Sequence, residues 1–123
     1  PKFISRLLAR QRLTVFGDGN QSRDFTYIEN VVNANLLALT AKNAPGEVLN
    51  IGCGERFSLN DLIAKLAQIL GIVAEVDYLP ARNGDVRDSL ADIHKAQRLL
   101  GYEPAVAFET GLRRTIDAFH GLT

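Results

Sequence analysis

The chain has 123 residues, 46% of them hydrophobic and 23% charged, a profile that fits one folded domain able to bury a core and excludes a disordered tail. Lys plus Arg and Asp plus Glu both number 14, so no overall basic field draws the chain to nucleic acid or to an anionic membrane. The single cysteine, Cys53, excludes an internal disulfide and a zinc site of paired thiolates, and a reducing cytoplasm is the expected compartment.

In the opening stretch "PKFISRLLAR", Phe3, Ile4, Leu7 and Leu8 recur at helical spacing. The pattern is amphipathic and lacks a signal peptide's apolar centre and cleavage site, and no run reaches the roughly 18 to 20 apolar residues of a membrane span. The chain holds no methionine, so either the initiator is removed or translation starts before Pro1. "RLTVFGDGN" reads as a short strand ending in a turn, and Ile28, Val32, Leu36 and Leu39 mark one face of a helix from about Glu29 to Lys42, closed by "NAPGE". "EVLNIG" is a candidate buried strand. Ser58 with Asp61 resembles a capping box opening the clearest helix, whose stripe of Leu59, Leu62, Ile63, Leu66, Ile69 and Leu70 predicts a core face and which Gly71 stops. "VAEVDYLP" predicts a strand, "ARNGDVRDS" a polar loop, "DIHKAQRLLG" a short helix, and Phe108, Leu112, Ile116 and Phe119 a terminal helix. Helices alternate with strands, without repeat or linker, which predicts one small mixed α/β domain over residues 1–123.

Few motifs carry chemistry by themselves. "NIGCGERFS" follows a candidate strand and leads to a helix, but Phe57 stands where a dinucleotide fingerprint needs its third glycine, so a tight connection is the better reading. No phosphate loop, nucleophile elbow or metalloprotease pair is present. His94 and His120, each alone in an amphipathic helix, read as surface or cap residues. Asp18 and Glu29 have the end spacing of a calcium loop, yet Arg23 occupies the sixth position, where glycine is required; no metal site is expected. Two arginines remain. Arg23 lies just past the glycine turn, and Arg82 opens "RNGDVRD", where Gly84 would let backbone approach a ligand. Two guanidinium forks from separate loops could clamp a diphosphate, with Asp85 accepting from a hydroxyl; alternatively both arginines are solvated and paired with Asp24, Asp88 or Glu29.

Three stretches taken together resemble one family. "LTVFGDGNQSRDFTYIENVVNANL", "VLNIGCGERFSLNDLI" and "PARNGDVRDSLADIHKAQRLLGYEPAVAFETGLRRTI" are similar, in this order, to the C-terminal part of extended short-chain dehydrogenase/reductase enzymes acting on nucleotide sugars, and "SRDFTYIENV" and "GDVRDSLADI" resemble the UDP-N-acetylhexosamine 4-epimerases among them. The resemblance implies a substrate-binding portion that lacks the Rossmann domain. Thr14, Val15 and Phe16 would line the base, Arg23 would meet the diphosphate, and Arg82 with Asp85 would hold diphosphate and ribose of a UDP-sugar. NAD would belong to the parent enzyme and not to this chain, which has no G-x-x-G-x-x-G and no Y-x-x-x-K: Tyr27, Tyr78 and Tyr102 are followed four residues on by Val31, Arg82 and Val106. Epimerization at C4 in that family removes a hydride to NAD and returns it, so this chain is expected to carry no catalytic residue of its own. A free-standing binding module is the alternative. The face that family members bury against the NAD domain would be apolar and could pair copies of the chain.

Overall fold

The computed structural model describes residues 1–120, except for the side chain of His120, so the surface or cap role expected of that histidine lies outside the described residues. The elements run α1 (Lys2–Leu8), β1 (Leu13–Phe16), β2 (Ser22–Arg23), α2 (Ile28–Thr40), β3 (Phe57–Ser58), α3 (Leu59–Leu70), β4 (Val76–Leu79), α4 (His94–Leu100) and α5 (Phe108–His120). This is the small mixed α/β arrangement expected. β1 pairs in parallel with β4, and β2 pairs antiparallel with β3.

Local signals explain the best-formed element. The Ser58 Oγ accepts from the Asp61 N–H at 3.0 Å while the Asp61 carboxylate accepts from the Ser58 N–H at 2.9 Å, so two helix-end donors are satisfied reciprocally. Gly71 closes α3 at φ 64°, a left-handed conformation that costs glycine little. The stripe then does what its spacing predicts: Ile63 and Leu66 join Ile4 and Leu7 of α1, Leu13 and Val15 of β1, and Ile116 of α5 in one core cluster.

A second cluster gathers Ala34 of α2, Ile93 just before α4, Ala96 and Leu100 of α4, and Tyr102. Two polar groups organise it. Tyr102, fully buried, donates its hydroxyl to the Gly52 carbonyl at 2.8 Å. Asn30, equally buried, donates to the Val106 carbonyl at 2.8 Å and accepts from the Val106 N–H at 2.9 Å, so its amide substitutes for a strand partner.

Ile28, Val32, Leu36 and Leu39 form one face of α2 as expected, and that face is exposed, Leu39 by 81%, while Asn30 and Ala34 turn inward. One expectation is corrected. "EVLNIG" forms no strand. Leu49 and Ile51 pack on the second cluster, but no neighbouring strand takes up the segment's backbone groups, and Lys95 pins its start through Glu47 at 2.6 Å and the Val48 carbonyl at 3.1 Å. Apolar alternation can produce an extended chain, but a strand also needs a partner.

Candidate functional site

The site begins at β1. The Leu13 N–H donates to Glu75 and the Gly17 N–H to Leu79, at 2.8 Å each, in a register that sets Phe16 opposite Leu79. Backbone groups of successive strand residues point to opposite edges, so Leu13 and Val15 turn theirs to β4 while Thr14 and Phe16 turn theirs away. The Phe16 carbonyl is taken by the Gln21 Nε2 at 2.6 Å. The Thr14 carbonyl and the Phe16 N–H remain as an adjacent acceptor and donor on an edge that no described strand covers. The Thr14 hydroxyl accepts from Arg6 at 3.4 Å, which holds α1 beside the strand, and the Val15 side chain belongs to the core.

The glycines after β1 make a turn that docks on α3. Gly17 and Gly19 have φ of 97° and 78°, and a Cβ on Gly19 would lie 2.0 Å from the Asn60 Oδ1. The Asn60 N–H donates to the Gly19 carbonyl at 3.0 Å, and its side-chain amide donates to the Asp18 carbonyl at 3.1 Å. A side chain at position 19 would be strained at that φ and would displace the Asn60 amide that holds the turn.

Over this turn lies a strap, residues 82–89, that brings the expected arginines to one structure. Ser22 donates its N–H to the Arg87 carbonyl at 2.9 Å and its hydroxyl to Asp88 at 2.5 Å, and accepts from the Ser89 N–H at 3.1 Å. The Arg23 Nη1 donates to the carbonyls of Ser22 and Arg87, at 2.7 and 3.1 Å. The Arg82 guanidinium lies 3.6 Å above the Phe16 ring. Gly84, at φ 86°, turns the strap so that the Asp85 N–H returns to the Arg82 carbonyl at 3.3 Å, leaving the Asp85 carboxylate exposed. The ion-pair alternative is not what forms: among the described residues neither Arg23 nor Arg82 bridges to a carboxylate, since Asp88 is held by Ser22 and Glu29 pairs with Arg114 at 2.6 Å. That last pair also removes Glu29 from any calcium loop.

The pair that sequence reasoning missed is Asp18 with Arg87, 69 residues apart, joined by two hydrogen bonds of 3.2 and 3.0 Å that clamp strap to turn. The Arg87 guanidinium, helped by the Asn20 N–H, holds the Asp18 carboxyl down to about 2. Because the folded value lies below the ordinary 3.8, the clamp's contribution is fully present above that value and is lost as the pH falls toward about 2. An NMR titration of the Asp18 carboxyl carbon is expected to show a midpoint near 2; a midpoint near 3.8 would mean that the clamp does not form in solution.

Elsewhere the chemistry is structural. Asp24, once a candidate partner for the arginines, accepts from the N–H groups of Cys53 at 2.9 Å and Gly54 at 3.0 Å, so the turn that resembled a phosphate loop already holds an anion from its own chain. A Cβ on Gly52 would lie 2.5 Å from that carboxylate. Burial pushes the Cys53 thiol up, away from the reactive thiolate. His94 is exposed at the start of α4, and the Asp92 carboxylate accepts from its N–H at 3.1 Å and lies 2.7 Å from its Nδ1. An apolar hollow of about 550 Å³, bordered by Phe3, Phe25, Tyr27, Leu66 and Phe108, includes none of the candidate residues. Among the described residues no helix is long and apolar enough to cross a membrane.

With this geometry in hand, comparisons with known proteins are specific. The family model for GDP-mannose 4,6 dehydratase matches residues 1–115. The chain is 37% identical over 117 residues to a UDP-glucuronate 4-epimerase of Thermodesulfobacterium geofontis, covering 94% of this chain and 36% of that one. It is similar in structure to a UDP-glucose 4-epimerase of Thermotoga maritima solved with UDP-glucose, at 41% identity and a TM-score of 0.92, covering 98% of this chain and 38% of that one. A UDP-glucuronic acid 4-epimerase of Bacillus cereus, solved with UDP-glucuronic acid and NAD, matches at 39% identity and a TM-score of 0.92, over 98% of this chain and 39% of that one. The chain therefore spans a little over a third of the length of these relatives.

Proposed function

The chain belongs to the family described as GDP-mannose 4,6 dehydratase, and from that premise we propose that it holds the nucleotide of a UDP-sugar for a longer, NAD-dependent 4-epimerase. The observation that carries the reading is the meeting of the β1 edge with the strap. An acceptor and a donor side by side, the Thr14 carbonyl and the Phe16 N–H, complement the imide edge of a uracil, which offers one N–H between two carbonyls. The same strap-and-turn structure carries two guanidinium groups without carboxylate partners among the described residues, Arg82 against the Phe16 ring and Arg23 on the Arg87 carbonyl, and an exposed Asp85 suited to a ribose hydroxyl.

NAD does not fit the residues present. The glycine turn that most resembles a dinucleotide loop gives its Cys53 and Gly54 N–H groups to Asp24, and the sequence holds no Y-x-x-x-K pair for proton transfer. No redox step is therefore assigned to this chain, and turnover by it alone is expected to be absent. The exposed face of α2 fits the same reading: Ile28, Val32, Leu36 and Leu39 are an apolar surface for the remainder of a longer protein to cover. A free-standing module would have to leave that face in water or bury it between two copies.

Titration with UDP, followed by amide chemical shifts, tests the proposal. Shifts are expected at Thr14 to Phe16, Arg23 and Arg82 at millimolar ligand, a weak affinity because one wall of a cleft must order the ligand alone. No shift at any of these positions would overturn the nucleotide reading.

A further inference from the structure

The register of β1 with β4 has a consequence for how Arg82 is presented. Phe16 ends β1 opposite Leu79, the last residue of β4, and the chain then runs through Pro80 and Ala81 back over Phe16, which brings the Arg82 Cζ 3.6 Å from the centre of the ring. At that distance the guanidinium lies against the π face, held by the ring's negative quadrupole and by dispersion. The Phe16 backbone is held, since its carbonyl accepts from Gln21 and the neighbouring Val15 is packed in the core, and the side chain it carries is half-buried. A stacked guanidinium keeps its N–H groups around its rim, all free to donate, while the rotamer freedom of a long exposed side chain is already reduced.

We infer that Phe16 is a positioning residue for the diphosphate, acting through Arg82: the ring sets the guanidinium plane so that its forked donors face the phosphates beside the base edge. This inference rests on the nucleotide reading and adds to it a side-chain role for Phe16, distinct from the backbone groups that Phe16 lends to the base. A ring that instead touched the base would contribute to nucleoside binding whether or not phosphates were present.

Uridine and UDP separate the two roles in the 123-residue chain. Three results are expected. The Arg82 side-chain protons resonate upfield through the ring current of Phe16, and Phe16→Leu abolishes that shift. The same substitution weakens UDP about three- to fivefold, the size of an exposed cation–π contact, and weakens uridine distinctly less. Combined with Arg82→Ala, Phe16→Leu adds no further loss, whereas Phe16→Tyr, which keeps the π face, retains UDP affinity. Parallel weakening of uridine and UDP, additive losses in the double variant, a folded Phe16→Tyr that loses UDP, or no ring-current shift in the unsubstituted chain would each overturn the inference. The ring-current measurement needs neither a variant nor a ligand, so it decides even if Phe16→Leu fails to fold. A UDP response that Phe16→Leu leaves intact overturns this inference alone; no UDP response in the unsubstituted chain overturns the nucleotide reading together with it.

Discussion

Leu66→Ala is expected to lower the unfolding free energy by about 2 to 5 kcal/mol, whereas Leu39→Ala should change it by less than about 0.5. Leu66 is 1% exposed and shares one core cluster with residues of α1, β1 and α5, so truncation loosens packing within that cluster. One side of Leu66 also borders the apolar hollow of about 550 Å³, so the space left behind opens toward water and is not sealed, which places the cost toward the lower end. Even that end is a large share of a domain stability of about 5 to 15 kcal/mol. In urea the Leu66→Ala midpoint should fall by roughly 1 to 3 M with the slope unchanged. An unchanged midpoint would show that this face of α3 is not core.

The contrast between those two leucines marks what the sequence could and could not disclose. Both lie in stripes of helical period, and period alone specifies a face without specifying what covers it. α3 was legible in full because its limits are written locally, in Ser58, Asp61 and Gly71, and its stripe meets elements inside the chain. The stripe of α2 was equally legible as a face, but the described residues place nothing against it, while the truly buried position, Asn30, is an amide whose partner, Val106, lies 76 residues away. "EVLNIG" failed for the same reason: the apolar run was legible, and the missing ingredient is a partner strand.

The site divides along the same line. Residue type and local turn chemistry pointed to Arg23, Arg82 and Asp85, the family resemblance added the Thr14–Phe16 strand, and the glycines at 17, 19 and 84 all have the positive φ that such turns require. What joins them is long-range. Asp18 with Arg87 and Ser22 with Asp88 tie residues more than 60 positions apart, and neither pair has a spacing that any local motif encodes. Asp24 shows the opposite failure: beside Arg23 in sequence it invites an ion pair, yet its carboxylate turns to two backbone N–H groups across the fold.

Arg82→Lys is expected to weaken UDP binding nearly as much as Arg82→Ala, by about tenfold, while Arg98→Lys changes it less than about twofold. If charge alone held the phosphates, lysine would serve, because an exposed position attracts an anion through a screened field that any cation supplies. Two further properties are lost with the guanidinium. The forked donors that can hold two oxygens at once become a single ammonium, and the planar surface that rests on the Phe16 ring becomes a compact, strongly hydrated head with little reason to stay there. Arg98 provides the control because it is exposed in the last turn of α4, where its service to the helix's C-terminal carbonyls is electrostatic and is kept by lysine. Calorimetry on the three variants distinguishes the cases: a lysine at position 82 that binds like arginine would reduce the strap to a source of positive charge, and an equal loss at positions 82 and 98 would remove the strap from the nucleotide site altogether.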